Sequence, residues 1–249
     1  MKLNGILIIL FFGFIFLAYS DENRPSDFVS LDEIDSGIVV EMRYYGNHNF
    51  IGKRIDGYEA PQCILTKLAA EALSQAQQEL KQFALTLKVY DCYRPQMAVD
   101  HFVRWAKDLK DIKMKKEFYP DINKENLFKE GYIAEKSGHS RGSTLDLTLI
   151  PLPLSKQTIY TEGQKLVDCR ATYQKRFKDN SLDMGTGYDC FDSLSNTANQ
   201  KIGAEQLKNR LLLKALMEKH GFKNYDMEWW HFTLKDEPYP DRFFNFPVK

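Results

Sequence analysis

Two runs of β-forming residues, LTLKVYDCYRP at 85–95 and STLDLTLI at 143–150, are each stopped by proline: Pro95 ends the first, Pro151 and Pro153 the second. Proline has no N–H for a sheet ladder, so the chain must leave the sheet at both points. The segments around these strands vary in length. SGIVVEMRYYG (36–46) reads as an earlier strand, ended by the turn residues of GNHNFIG. PQCILTKLAAEALSQAQQELKQFA (61–84) has apolar residues recurring at three and four and reads as a helix opening on Pro61. QMAVDHFVRWAKDLK (96–110) is again helical, and the lysine-rich stretch to about Tyr119 reads as a solvated connection. A polar region from 155 to about 200 reads as an insertion or long loop. AEQLKNRLLLKALMEKHG (204–221) is an amphipathic helix stopped by Gly221, and MEWWHFTL (227–234) is the last strand. No regular strand-helix-strand rhythm emerges, which predicts an α+β fold: a small, largely antiparallel sheet with helices packed on it.

Near the start, Lys2 is followed by the unbroken apolar run GILIILFFGFIFLA, which ends among small residues. Such a run has the form of a secretory signal peptide over residues 1–20, cut before Asp21. A retained membrane anchor is the rival reading, but a spanning helix needs about 20 apolar residues. The remaining 21–249 suits a single catalytic domain with a sizeable core. Lysine plus arginine equal aspartate plus glutamate at 34 each, so nothing favours a nucleic-acid or anionic-membrane partner. No glycine-rich phosphate loop is present either. Four cysteines in an exported chain point to disulfides. Of the three pairings, we favour Cys63 with Cys92, at a helix start and a strand end, and Cys169 with Cys190, which bracket a polar segment. Closing the second loop contributes about 3 kcal/mol in the chain-entropy model. A thiolate metal site is the alternative, but no two cysteines have C-x-x-C spacing.

SGHSRGSTLDL (137–147) places His139 and Asp146 on either side of Gly142. A tight bend followed by a strand could bring both side chains to one point, or each could be satisfied locally as a loop donor and a turn cap. EWWHF (228–232) adds Glu228 and His231. On a regular strand these two face opposite sides, whereas a turn at Glu228 would let both face one way. A buried aromatic strand with an exposed glutamate is the plainer alternative. Together the clusters supply two imidazoles, one carboxylate and a spare glutamate, the set a catalytic zinc requires when one position is left for water. Bound zinc lowers the pKa of water to about 7, and a nearby carboxylate can then take the proton. His48, His101 and His220 read as turn, helix-face and helix-end residues.

SGHSRGSTLDLTL, DCYRP, DMGTG and EWWHF, with NHNFIG upstream, resemble the zinc D-alanyl-D-alanine dipeptidases. That family shares a metal-binding core with D,D-carboxypeptidases and hedgehog-like domains. The resemblance runs from about Phe28 to Phe246. It implies one Zn2+ held by His139, Asp146 and His231, and Glu228 as the general base that later protonates the leaving amine. Arg94 would stabilise the oxyanion, although an arginine there could also form a surface salt bridge. Asp183 of DMGTG would pair with the substrate ammonium, Ser137 would help hold the dipeptide, and Asp91 would contact substrate or orient Arg94. The implied substrate is a small D,D-dipeptide. The export signal, the cysteines and the 154–183 stretch depart from the family pattern, and the export signal suggests a periplasmic role in wall turnover or D-alanine scavenging. A D,D- or L,D-carboxypeptidase trimming muropeptide stems is the alternative enzyme, and a non-catalytic wall- or zinc-binding module the alternative of another class.

Overall fold

A computed structural model describes residues 23–249. The signal-peptide reading of residues 1–20 lies outside them. No helix among the described residues is long and apolar enough to cross a membrane. Among the described residues there are seven strands: β1 (Phe28–Ser30), β2 (Val39–Val40), β3 (Ile64–Thr66), β4 (Leu85–Asp91), β5 (Thr144–Pro151), β6 (Phe222–Asn224) and β7 (His231–Leu234). The helices are α1 (Leu31–Ile34), α2 (Lys67–Leu80), α3 (Gln96–Lys107), α4 (Lys115–Phe118) and α5 (Ala204–Lys219). The fold is therefore α+β, with β1 and β3 forming a two-stranded sheet beside a five-stranded one of order β2-β4-β5-β7-β6. Four of the strand pairings in the two sheets, counting β1 with β3, are antiparallel, and β2 runs parallel to β4.

β4 and β5 are the expected proline-limited strands, and both lie in the interior. Leu87, Val89, Leu145, Leu147 and Leu149 are buried against the helical layer, to which α2 contributes Ala69, Ala70, Leu73, Ala76 and Leu80. β2 is too short to cover the whole edge of β4. Gln77 from α2 covers part of the remainder, its Oε1 accepting from Leu87 N at 2.9 Å and its Nε2 donating to Thr86 Oγ1 at 2.7 Å. A buried amide with both ends satisfied avoids the cost of orphaned polar groups.

Several boundaries differ from the sequence reading. The helix expected from Pro61 starts at Lys67, because Ile64–Thr66 pairs with Phe28–Ser30 and the Thr66 hydroxyl accepts from Ala69 N at 3.4 Å as an N-cap. The stretch expected to be a solvated connection contains α4 and buries Met114, Phe118 and Tyr119. From 152 to 203 the chain is irregular apart from a 3-10 turn at Ser193–Ser195, as expected of a long loop, but Met184, Tyr188 and Phe191 are core residues. The last strand begins at His231 rather than Met227, since residues 226–230 form turns.

Both favoured cysteine pairs are joined. Cys63–Cys92 ties the segment before β3 to the end of β4, and Cys169–Cys190 closes the irregular region on itself. Each closes a loop of 20 to 30 residues, worth about 3–4 kcal/mol in the chain-entropy model.

Candidate active site

Sheet register builds the site. Asp91 of β4 lies opposite Asp146 of β5, and Asp146 lies opposite His231 of β7, so three polar residues form one row across the middle of the sheet. His139 joins them from a 3-10 turn, Gly138–Arg141, that leads into β5. Ser137 caps that turn, its hydroxyl accepting from His139 N at 3.3 Å. The turn ends at Gly142 with φ 84°, where a Cβ would stand 2.1 Å from a ring atom of the buried Phe28. Only glycine fits a left-handed corner this close to a packed ring.

His139 Nδ1 lies 2.8 Å from the Cys92 carbonyl, which can only accept. The ring proton therefore sits on Nδ1, and Nε2 presents a lone pair. That nitrogen is 3.3 Å from His231 Nδ1 and 3.3 Å from Asp146 Oδ1, and His231 Nδ1 is 3.1 Å from the same oxygen. Asp146 Oδ1 is buried without a hydrogen-bond donor. Protonated imidazoles could bridge the three atoms, but His139 has already spent its proton on Cys92 and burial lowers its pKa. Burial opposes the charge on Asp146, yet the two imidazoles outweigh it and hold the carboxyl well below the usual carboxylate range. Burial lowers the His231 pKa, but the hydrogen bond and charge of Asp146 outweigh it and raise it, so a metal ion bound by the three atoms would take the place of a proton on His231 Nδ1. A tetrahedral ion with bonds of about 2.0–2.1 Å spaces its donor atoms about 3.3 Å apart, which is the spacing present. His139, Asp146 and His231 are the His/Asp/His group able to hold a metal among the described residues.

Glu228 stands outside β7, in the turn that precedes it. Its amide donates to Tyr225 O at 2.9 Å, and Trp229 and Trp230 behind it are buried, Trp229 donating to Thr186 Oγ1 at 2.9 Å. With the indoles anchored inward, Glu228 faces the cavity, its Oε2 3.5 Å from His231 Nδ1. Burial, reinforced by the charge on Asp146, pushes its carboxyl up to about 7. Arg94 follows β4 and is no surface salt bridge. Its Nε and Nη2 lie 2.9 and 2.8 Å from Asp91 Oδ2, and its guanidinium lies 5.0 Å from the Tyr44 ring centroid and 5.1 Å from that of Phe102. Asp91 is fully buried and also accepts from Tyr58 at 2.5 Å. Its contact with Arg94 corresponds to the orienting role among the two suggested for it, and it does not line the cavity.

That cavity, of about 260 Å³, is lined by Arg94, Ser137, His139, Asp146, Glu228 and His231 together with aromatic side chains. It falls below the usual range for drug-sized ligands, roughly 300–1,000 Å³. Asp183 is not among its walls. The Asp183 carboxylate is held by Arg176 at 2.5 Å, Gln206 at 2.6 Å and Gly185 N at 3.0 Å, so the ammonium-binding role expected for it has no support in its position. Asp189, absent from the sequence expectation, lines the cavity instead. It is buried, accepts from Tyr44 OH at 2.8 Å, and has φ 55°. Burial pushes its carboxyl well above the ordinary value, with Asp146 adding to the shift. Tyr44, Tyr132 and Phe191 were missed as well. The other histidines are away from the cavity, His48 against Glu117, His101 against Asp56 and His220 against Glu79.

A two-histidine, one-aspartate donor set beside a carboxylate of raised pKa and a fixed guanidinium, in a small cavity over the central strands, is the site of a metal-dependent peptidase. The peptidase M15 model, described as D-ala-D-ala dipeptidase, matches residues 24–156 and 155–249. D-alanyl-D-alanine dipeptidases from Streptomyces coelicolor and Enterococcus faecalis are each 38% identical, over 222 and 221 residues, covering 89% of this chain and 98% of theirs. One from Escherichia coli is 29% identical over 212 residues, covering 84% of this chain and 85% of its own. The chain belongs to the M15 peptidase family and is a metallopeptidase.

Proposed function

We propose that the protein hydrolyses free D-alanyl-D-alanine to two molecules of D-alanine in a zinc-dependent reaction. The observation that carries this reading is the meeting of two imidazole nitrogens and one carboxylate oxygen beside Glu228 and Arg94 in a cavity of dipeptide size. Two imidazoles and one carboxylate with a position left open suit zinc. An ion held by His139, Asp146 and His231 would supply Lewis acidity that makes water nucleophilic near neutral pH.

The chain's own residues account for the remaining steps. Glu228, with a pKa close to that of the medium, accepts a proton as water attacks the peptide carbonyl and returns it to the leaving amine. Arg94 is fixed by Asp91 before the reaction starts, so its charge stabilises the developing oxyanion without reorganisation. Asp189 closes the acidic end of the cavity and pairs with the free ammonium, which favours the ionised form of its carboxyl. Ser137, at the mouth of the histidine turn, contacts the dipeptide backbone. An acylated muropeptide stem lacks the ammonium, so Asp189 favours the dipeptide over the carboxypeptidase reading. We assign the activity to the periplasm, in wall turnover or D-alanine scavenging; the apolar leader and both disulfides support an exported chain.

Residues 21–249, assayed for D-alanine release, should hydrolyse D-Ala-D-Ala, stop on chelation and recover with Zn2+. Glu228→Gln should lower kcat by at least about a thousandfold while retaining stoichiometric metal. Stoichiometric zinc without hydrolysis of any D,D-dipeptide would refute the proposal.

A further inference from the structure

We propose that the Tyr188 hydroxyl is a positioning group for Asp146, holding the carboxylate turned so that Oδ1 faces the cation. The inference rests on the metal-site reading and extends it to a residue behind the ligands. Asp146 uses its two oxygens differently: Oδ1 meets the two imidazole nitrogens, while Oδ2 accepts from Tyr188 OH at 2.9 Å. The other group near Oδ2 is Arg94 Nη2 at 3.7 Å, and that nitrogen is already 2.8 Å from Asp91. A carboxylate with one anchored oxygen cannot rotate to offer the other. Without the anchor, it can swing to share both oxygens with the imidazoles or with Arg94.

The phenol proton has one good destination. Tyr44 OH, which donates to Asp189 at 2.8 Å, could accept only at a long 3.5 Å, whereas the Asp146 carboxylate lies at 2.9 Å, so the Tyr188 proton goes to Asp146. Its ring is fixed independently of the hydroxyl. It stacks on Tyr90 with centroids 4.4 Å apart at 20°, and meets Trp230 edge-on at 5.4 Å. Removing the hydroxyl alone should leave the fold intact. Groups that orient metal ligands from behind typically account for 10–100-fold in affinity.

Tyr188→Phe tests this by competition for Zn2+ against a chelating dye, a readout independent of turnover. A 10–100-fold rise in the zinc dissociation constant is expected, with an unchanged near-ultraviolet circular dichroism spectrum. Tyr90→Phe serves as control, because it removes a hydroxyl from the same stack that bonds Asp179 rather than Asp146; its zinc affinity should stay within about threefold of the wild type. Wild-type affinity in Tyr188→Phe, or equal losses in both variants, would overturn the positioning role while leaving the metal site standing. A wild-type protein that binds no zinc would overturn the metal site itself.

Discussion

Replacing Asp189 by asparagine removes the carboxylate that ionises when a substrate ammonium pairs with it, and little else. The amide is nearly the same size, and its oxygen can still accept the Tyr44 proton now donated at 2.8 Å. What disappears is the attraction for a substrate ammonium. At about 3 Å and an effective dielectric constant of 20, that attraction is about 5 kcal/mol before desolvation. Hydrogen bonds to charged groups retain about 1.5–3 kcal/mol net, and burial raises the figure, so a loss of about 2–4 kcal/mol is expected. Each 1.36 kcal/mol is tenfold, and kcat/KM for D-Ala-D-Ala should fall roughly 30- to 1,000-fold. N-acetyl-D-Ala-D-Ala has no ammonium to lose. Its kcat/KM should change by less than about threefold, so the wild-type preference for the free dipeptide should nearly vanish. Asp183→Asn should preserve that preference, since Arg176 and Gln206 hold its carboxylate. Equal losses on both substrates in Asp189→Asn, or lost preference in Asp183→Asn, would refute the assignment of the acidic wall.

Two further outcomes concern stability. In chelated protein, the Glu228 carboxyl is raised from 4.5 to about 7, so its contribution is present below pH 4.5 and disappears as pH rises through 7. Urea melts from pH 4.5 to 8 should show the wild type losing up to about 3 kcal/mol relative to Glu228→Gln, and parallel curves would contradict the shift. Gly142→Ala forces a side chain into a left-handed corner, costing about 1–2 kcal/mol, and pushes against the Phe28 ring for about 1–3 more. Its Tm should drop by roughly 4–20 °C, and a shift under about 2 °C would mean that the ring yields freely.

Much of this site was legible because its chemistry sits on ordered elements with local signals. Gly142 marks the bend that returns Asp146 toward His139, and the tryptophans of EWWHF mark an anchored turn that frees Glu228. The row Asp91–Asp146–His231 was not legible, because strand register is a long-range pairing that no local pattern encodes. Asp189 escaped for another reason. It lies in an irregular stretch without periodicity, where the family motif DMGTG points to Asp183 although Arg176 and Gln206 occupy it. The available signal was the neighbouring Cys190, since a disulfide fixes the backbone beside it. In YDC (188–190), Tyr188 reaches Asp146, Asp189 reaches the cavity and Cys190 closes the loop. Likewise, the start of α2 could have been read from Thr66, which competes with Pro61 as a helix-opening signal.

The disulfides place the two ends of the cavity under one condition. Cys92 follows Asp91 and gives its carbonyl to His139, while Cys190 follows Asp189. A nascent chain has every catalytic side chain but neither of these bonds. Its metal face and its acidic wall acquire their backbone anchors only when thiols at Cys63, Cys92, Cys169 and Cys190 have been oxidised. The peptidase's maturation is therefore expected to be timed by oxidation rather than by synthesis.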